Sequence, residues 1–290
     1  MEHDGIEQFA AALRKARQGP SGPVALVLIE DGIEVESTLR HHLDLGFSQV
    51  VAIVPDDLPR PDLSDPRLDW VRGETRRDGA CADLVNAVIA TAAPGQWLFY
   101  CHNSEYLFFP FSEDRGVADL CAFVVEERRD SVPCVTLDLF ATDLEAHPTG
   151  VTREAAHLDR IGYYARDRYD AQGQLLERQP DIHGGLRWRL EEHVPTDRRQ
   201  ILRIALFRTA PGLRLGADHR LNQAEYNTLQ SPWHRSPTAA TASFRTAKAL
   251  RRNPATREAI DGFDWPGATP FAWRSRQLLD LGLIEPGQWF

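Results

Sequence analysis

Four consecutive polar residues after an apolar run are the part of the sequence best suited to chemistry. The run Trp97–Cys101 (WLFYC) has the length and composition of a buried strand, and it is followed by His102, Asn103, Ser104 and Glu105. Ligands of α/β proteins gather beyond the carboxyl ends of such strands, so these side chains are candidates for a pocket. His102 can donate to a phosphate or coordinate zinc or manganese. The alternatives are a polar turn that caps the strand and, for Glu105, a partnered structural carboxylate.

An aspartate inside a second apolar run is the next candidate. Asp138 lies in Val132–Phe140 (VPCVTLDLF), between apolar neighbours. Burying an unpaired carboxylate is unfavourable. Asp138 is therefore expected either to border a pocket or to pair with an arginine as a structural residue.

The elements that would position these side chains alternate between strand and helix. This alternation predicts an α/β fold with a mostly parallel central sheet flanked by helices. The predicted strands are Val24–Ile29, Val50–Val54, Leu68–Val71, Trp97–Cys101 and Val132–Phe140, and the predicted helices are Ile6–Arg17, Glu34–Gly46, Cys81–Ala92, Val117–Glu126, Thr241–Arg251 and Ser275–Leu281. The strand and helix pattern becomes less regular beyond residue 150. We divide the chain into an N-terminal helix and linker (1–23), a main domain (24–225) and a looser helical or irregular C-terminal extension (226–290).

Composition narrows the function classes. The net charge of −9 opposes general binding to nucleic acid or to anionic membrane surfaces. No apolar run approaches the ~20 residues of a membrane span, so the expected location is the cytoplasm. The four cysteines lack CxxC spacing and lie in or beside apolar runs, which favours buried free thiols. Walker, GxGxxG and GxSxG motifs are absent from their expected contexts, which disfavours kinases, dehydrogenases and hydrolases.

Three segments, taken in order, resemble family-2-type glycosyltransferases with the GT-A, Rossmann-like fold. Val24–Val54, with HHLDLGF before VVAIV, is similar to the family's opening strand, helix and second strand. Trp97–Pro110 (WLFYCHNSEYLFFP) resembles the segment that carries the family's Asp-x-Asp motif. Arg203–Asn222 (RIALFRTAPGLRLGADHRLN) is similar to a later strand, turn and histidine.

The resemblance implies a nucleotide-sugar donor whose diphosphate is held by Mn²⁺ or Mg²⁺ on the acidic motif. Here His102, Asn103 and Ser104 stand at the motif positions and Glu105 follows them, so the motif is degenerate and metal binding is expected to be weak. The expected metal ligands are Glu105 and His219. His219 matches the family histidine and could instead donate to the diphosphate.

Other residues receive roles from the same resemblance. The base and ribose would lie near Asp31, Asp56 and Asp57 at the ends of the first two strands, and Arg187, in HGGLR, would lie on the acceptor side. Arg245, in TASFRT, stands where the family has a lysine and would contact the donor. A carboxylate that removes the acceptor proton in an inverting transfer would be Asp138 or Glu191. For each of these residues a solvated turn or a structural ion pair is the alternative.

These expectations lead to three functional hypotheses. The first is transfer of a sugar to an unknown acceptor, with weak or no metal dependence. The second is a catalytically inactive relative that binds or scaffolds a protein partner or a second copy of itself. The third hypothesis is a different nucleotide-dependent transferase on a similar α/β scaffold.

Overall fold

The structure is a computed structural model that describes residues 2–15, 22–229 and 235–289. It is a mixed α/β fold in which a large, mostly parallel central sheet is flanked by helices. The strands are β1 (Glu2–His3), β2 (Val24–Leu28), β3 (Gln49–Val54), β4 (Leu68–Arg72), β5 (Trp97–His102), β6 (Glu105–Phe108), β7 (Ser131–Ala141), β8 (Ala156–Asp159), β9 (Tyr164–Arg166), β10 (Asp181–His183), β11 (Leu202–Arg208), β12 (Ala239–Ser243) and β13 (Ala268–Pro270). The helices are α1 (Ile6–Lys15), α2 (Val35–Asp44), α3 (Ala80–Thr91), α4 (Val117–Glu126), α5 (Leu186–Arg189), α6 (Arg245–Arg252), α7 (Pro254–Ala259) and α8 (Ser275–Asp280).

The central sheet has the strand order β1-β4-β3-β2-β5-β11-β7-β12-β6. Neighbouring strands from β1 to β5 in this order are parallel, and so are β7 and β12. Strands β11 and β6 run against their neighbours. Strand β8 pairs with β7 and with β13, and β9 forms a separate two-stranded sheet with β10. The carboxyl ends of β2, β5, β7 and β12 therefore lie along one edge.

Burial explains why the first strands could be recognised in the sequence. Every residue of β2 is fully buried, as expected of a strand that is covered on both faces. Helix α2 is amphipathic and buries Val35, Leu39 and Leu43 among its residues. This alternation of continuous apolar strands and amphipathic helices is the pattern that predicted a βαβ arrangement.

The predicted elements are confirmed with two qualifications. The helix predicted over Ile6–Arg17 is observed to Lys15, and residues 16 and 17 lie outside the described part of the chain. The prediction of a helix over Thr241–Arg251 is wrong at its start, because Ala239–Ser243 is strand β12 and α6 begins at Arg245. Small Ala and Thr side chains suit this strand, which is buried between β7 and β6. Tertiary pairing has overridden helix propensity here.

Residues on both sides of the predicted boundary at 225 share the central sheet, because β12 lies within it. Of the four free cysteines, Cys101, Cys121 and Cys134 are buried and Cys81 is partly exposed. Among the described helices, none has the length and apolar character needed to cross a bilayer.

Candidate functional site

A layer of buried polar side chains lies at the carboxyl edge of the sheet. Its backbone is fixed by strand register, which pairs His102 with Leu28 and Ser243 with both Asp138 and Glu105. The polar segments that follow β2, β5 and β12 are thereby brought together from distant parts of the sequence. This edge is where ligands of open α/β sheets ordinarily bind.

Glu105 is at the centre of the layer and is fully buried. Arg203 Nη1 lies 3.0 Å from each carboxylate oxygen, and the Ser243 hydroxyl donates to Oε1 at 3.0 Å. The His102 backbone N–H donates to Oε2 at 2.8 Å. Burial alone would raise the pKa of Glu105, but Arg203 and the His102 side chain hold it well below its ordinary value. Glu105 is therefore a partnered carboxylate.

The two histidines predicted to serve the site have pKa values below the ordinary histidine value. Burial, with a further contribution from Arg245, lowers the pKa of His102. Burial and the neighbouring Arg203 hold the pKa of His219 well below its ordinary value. The ring of His219 stacks on Tyr100, and its Nδ1 lies 3.1 Å from the tyrosine hydroxyl oxygen.

Asn103 joins the end of β5 to the turn after β2. Its amide nitrogen donates to Asp31 Oδ1 at 2.7 Å and to the Ile33 carbonyl at 2.8 Å. Its amide oxygen accepts from the Glu30 backbone N–H at 2.9 Å. Since these bonds occupy both ends of the amide, Asn103 holds the turn that presents Asp31.

Asp31 faces Lys248, which extends from α6 into the layer. Lys248 Nζ lies 3.1 Å from Asp31 Oδ2 and 3.1 Å from Ser104 Oγ, with the Asn103 carbonyl oxygen at 3.5 Å. The lysine side chain is 3% exposed. Burial would raise the pKa of Asp31, but the Lys248 ammonium and the Ile33 N–H outweigh it and lower that pKa. The exposed Arg252 also reaches Asp31 Oδ2, at 3.0 Å.

Two partly exposed guanidinium groups lie above this layer. Arg245 binds the Glu30 carboxylate through two nitrogens and is 32% exposed. Arg76 donates to the Glu30 backbone carbonyl and to the Asp57 carboxylate, and is 39% exposed. Burial would raise the pKa of Glu30, but His102 and Arg245 lower it to about 2. Two guanidinium groups therefore contact Glu30, Arg245 at its carboxylate and Arg76 at its backbone carbonyl.

Asp138 forms a second cluster at the end of β7. Its carboxylate accepts from the Thr246 hydroxyl at 2.7 Å and from the Arg187 backbone N–H at 3.3 Å, with Arg187 Nε at 3.6 Å. Burial raises the pKa of Asp138, and these partners offset only part of that effect. Gly185 has a φ of +62°, and a Cβ there would lie 2.9 Å from Asp138 Oδ2. The absence of a side chain at Gly185 lets the chain approach this carboxylate closely.

Three predicted site residues lie at the surface. Asp56 is 93% exposed with Arg72 Nε at 3.8 Å, and Asp57 is 65% exposed. Glu191 is 55% exposed and contacts Arg199 at 3.2 Å. Asp57 is linked to the polar layer through Arg76, whereas Glu191 contacts residues of its own segment.

The residues present do not fit the divalent cation that the resemblance implies. Both oxygens of Glu105 are taken by protein donors, and His219 contacts Tyr100. Within residues 2–15, 22–229 and 235–289, no group of three or more His, Cys, Asp or Glu side chains could hold a metal ion. Hard cations need several oxygen ligands, and the carboxylates here are engaged by arginine and lysine instead.

Sequence reasoning missed Glu30, Arg76 and Lys248. A signal for Lys248 was available, because the chain contains two lysines among 33 basic residues. Arg245, Lys248 and Arg252 are also spaced so that they share one face of a helix. Nothing local in the sequence indicated that this face meets the end of β2, more than 200 residues earlier in the chain.

Comparison with known proteins adds no family to these observations: no protein-family model matches the chain, and no curated protein matches it.

Proposed function

We propose that the chain transfers a sugar from a nucleotide-sugar donor to an unknown acceptor without a tightly held divalent cation. The observation that carries this proposal is that two partly exposed guanidinium groups, Arg76 and Arg245, both contact Glu30 at the carboxyl edge of the sheet. Guanidinium groups bind phosphate oxygens in bidentate fashion and can stabilise a leaving diphosphate. The resemblance of three segments to GT-A glycosyltransferases supports the same reading.

The donor diphosphate would compete with Glu30 for Arg245. Arg245 is rigidly held by two bonds to the Glu30 carboxylate, so a ligand that displaces the carboxylate meets an already oriented guanidinium. Asp57 and Asp31, at the ends of β3 and β2, are the candidate partners of the ribose and base. Of the two, Asp57 is the more accessible.

Asp138 is the candidate base for the acceptor hydroxyl. Its raised pKa suits a group that must gain a proton, since a general base works best with a pKa near the working pH. Its side chain is fully buried, so an acceptor would have to replace the Thr246 hydroxyl at the carboxylate. Glu191 is accessible but belongs to a different part of the surface, and it is the weaker candidate.

A second candidate function is a catalytically inactive relative that uses the fold to bind a protein partner. The observation that favours it is the complete internal pairing of the edge carboxylates: Glu30 with Arg245, Asp31 with Lys248, and Glu105 with Arg203. A site whose charges already neutralise one another needs no ligand for its stability.

Calorimetric titration with UDP, GDP and their sugar conjugates separates these functions. Each titration is run with EDTA and with MnCl₂, on the wild type, Glu30→Gln and Arg245→Ala. Removing the competing Glu30 charge is expected to tighten binding by about tenfold, which corresponds to roughly 1.4 kcal/mol, and Arg245→Ala is expected to abolish it. Arg276→Ala, at a guanidinium that is 77% exposed and paired with Asp280, is the matched control. Absence of saturable binding to every variant would reject the transferase and favour the inactive relative.

A further inference from the structure

The Lys248 ammonium is enclosed by oxygen atoms from two segments of the chain, the turn after β2 and the turn after β5. Asp31 Oδ1 and Oδ2 lie at 3.3 and 3.1 Å, Ser104 Oγ at 3.1 Å and the Asn103 carbonyl oxygen at 3.5 Å. All four residues are buried. A carboxylate, a hydroxyl and a backbone carbonyl are the oxygen types that bind hard cations in proteins. We propose that this enclosure is a cation site in which the lysine of α6 permanently takes the place of a metal ion.

The choice of lysine supports this assignment. The chain uses arginine at nearly all of its basic positions, and Lys248 is one of two lysines. An ammonium is a compact point charge with three donors, whereas a guanidinium is a planar fork. Oxygen atoms arranged around a point suit the ammonium, and the planar group would not satisfy them together.

The enclosure is built by the chain independently of the lysine. Asn103 donates to Asp31 Oδ1 and to the Ile33 carbonyl, and the Ser104 hydroxyl donates to that same carbonyl at 2.9 Å. Ser104 also adopts a left-handed backbone with φ of +64°, an uncommon conformation for a residue other than glycine. These bonds would keep the oxygen atoms oriented around the position of Nζ when the lysine side chain is shortened.

This inference deepens the proposed function, because a resident charge beneath the donor face would make a divalent cation dispensable there. Its test uses no sugar nucleotide. If the wild type does not bind a nucleotide-sugar donor, the proposed function is rejected but the cation site is not. The Mn²⁺-binding and NMR measurements described below test the cation site alone.

The decisive experiment asks whether an added metal can replace the lysine. Mn²⁺ binding is followed by electron paramagnetic resonance for the wild type, Lys248→Ala, Lys248→Met and the double variant Lys248→Ala with Asp31→Asn. Lys248→Ala opens room for a hydrated ion, so it is expected to bind one Mn²⁺ roughly tenfold or more tightly than the wild type. The methionine fills the space without a charge, and the double variant lacks the anionic ligand, so neither should gain the site. Equal Mn²⁺ binding by all four proteins would overturn the proposal.

A second measurement leaves the enclosure intact, so it does not depend on a variant that folds poorly. In Lys15→Arg protein the single remaining lysine is Lys248, and isotope labelling of lysine gives one side-chain nitrogen NMR signal. The proposal expects a charged ammonium at neutral pH whose protons exchange slowly with water. A neutral Lys248 amine at neutral pH would overturn it.

Discussion

Asp31 and Asp138 are both buried at the carboxyl edge of the sheet, yet their environments shift the carboxyl pKa in opposite directions. Asp31 follows β2 and faces the Lys248 ammonium, and its pKa is lowered. Asp138 lies between Leu137 and Leu139 in β7 and faces Arg187 and Thr246, and its pKa is raised. Burial disfavours the charged form of both carboxylates. Asp138 is the more completely buried of the two, whereas Asp31 has the closer cation and accepts hydrogen bonds from Ile33 and Asn103.

The distances agree with this explanation. Lys248 Nζ lies 3.1 Å from Asp31 Oδ2, whereas Arg187 Nε lies 3.6 Å from Asp138 Oδ1 and also donates to the Thr246 hydroxyl oxygen. Asp31 is suited to hold a cation at all working pH values. Asp138 is suited to take up a proton. Two aspartates on one edge can therefore serve different chemistry, and variants of their cationic partners test that division.

Lys248→Met is expected to have the largest effect on stability. Removing one partner of a buried ion pair leaves an uncompensated charge and destabilises by about 3–5 kcal/mol. We expect the lower end of this range, because Arg252 still contacts Asp31. Urea unfolding at neutral pH measures the change. Adding Asp31→Asn should recover part of the loss, and a double variant no more stable than Lys248→Met would contradict the pairing.

Arg187→Met is expected to destabilise less, by about 1–3 kcal/mol at neutral pH, because Asp138 can become protonated. A carboxyl whose folded-state pKa is raised takes up its proton in the folded state first, so folding is favoured as pH falls toward the unfolded-state value of 3.8. The deficit relative to the wild type should therefore shrink between neutral pH and about pH 5. Urea unfolding across that range, with Arg276→Met as the exposed control, checks the trend. A deficit independent of pH would show that Asp138 does not exchange a proton there.

The sequence predicted the amino-terminal part of the fold well because that part follows local rules. Continuous apolar runs became the buried strands β2, β3 and β5, and amphipathic periodicity identified α2. Strand β12 was misread because its side chains are small and weakly patterned. Its structure is imposed by pairing with β7 and β6, which no local pattern discloses.

For the site, the sequence indicated which residues were exceptional but not how they pair. The polar run after β5 and the aspartate in β7 were recognised because polar residues beside apolar strands are costly unless they have partners. The partners Lys248 and Arg203 come from elements more than 90 residues away in sequence from the residues they neutralise. Whether a buried carboxylate meets a metal ion or a basic side chain depends on that tertiary arrangement.

His42 is a background source of pH dependence that must be separated from Asp138. It is fully buried, and burial lowers its pKa from 6.5 to about 3. The unfolded chain therefore takes up the proton first, and stability falls as pH drops from 6.5 toward 3, by up to ~1.4 kcal/mol per pH unit. His42→Leu should flatten the stability profile over that range in urea unfolding. His147→Leu, in the loop after β7, is the control for replacing a histidine with leucine elsewhere in the chain. If the free energy of unfolding of His42→Leu depends on pH as steeply as that of the wild type, His42 is not the source of this pH dependence.

Arg252→Ala is expected to have the smallest effect, although Arg252 contacts the same carboxylate oxygen as Lys248. Arg252 Nη1 lies 3.0 Å from Asp31 Oδ2, but its side chain is 56% exposed whereas that of Lys248 is 3% exposed. Solvent screening and side-chain entropy leave exposed ion pairs worth about 0–1 kcal/mol. Urea unfolding of Arg252→Ala, Lys248→Met and the double variant measures the stability contribution of each cation and the coupling between them. The contribution of Arg252 is obtained both with and without the lysine. The arginine should matter more once the lysine is gone, since it is then the remaining cation on Asp31 among the contacts described. A single Arg252→Ala substitution as costly as Lys248→Met would mean that exposure does not separate the two cations, and that Lys248 is an ordinary partner rather than the resident charge of the enclosure.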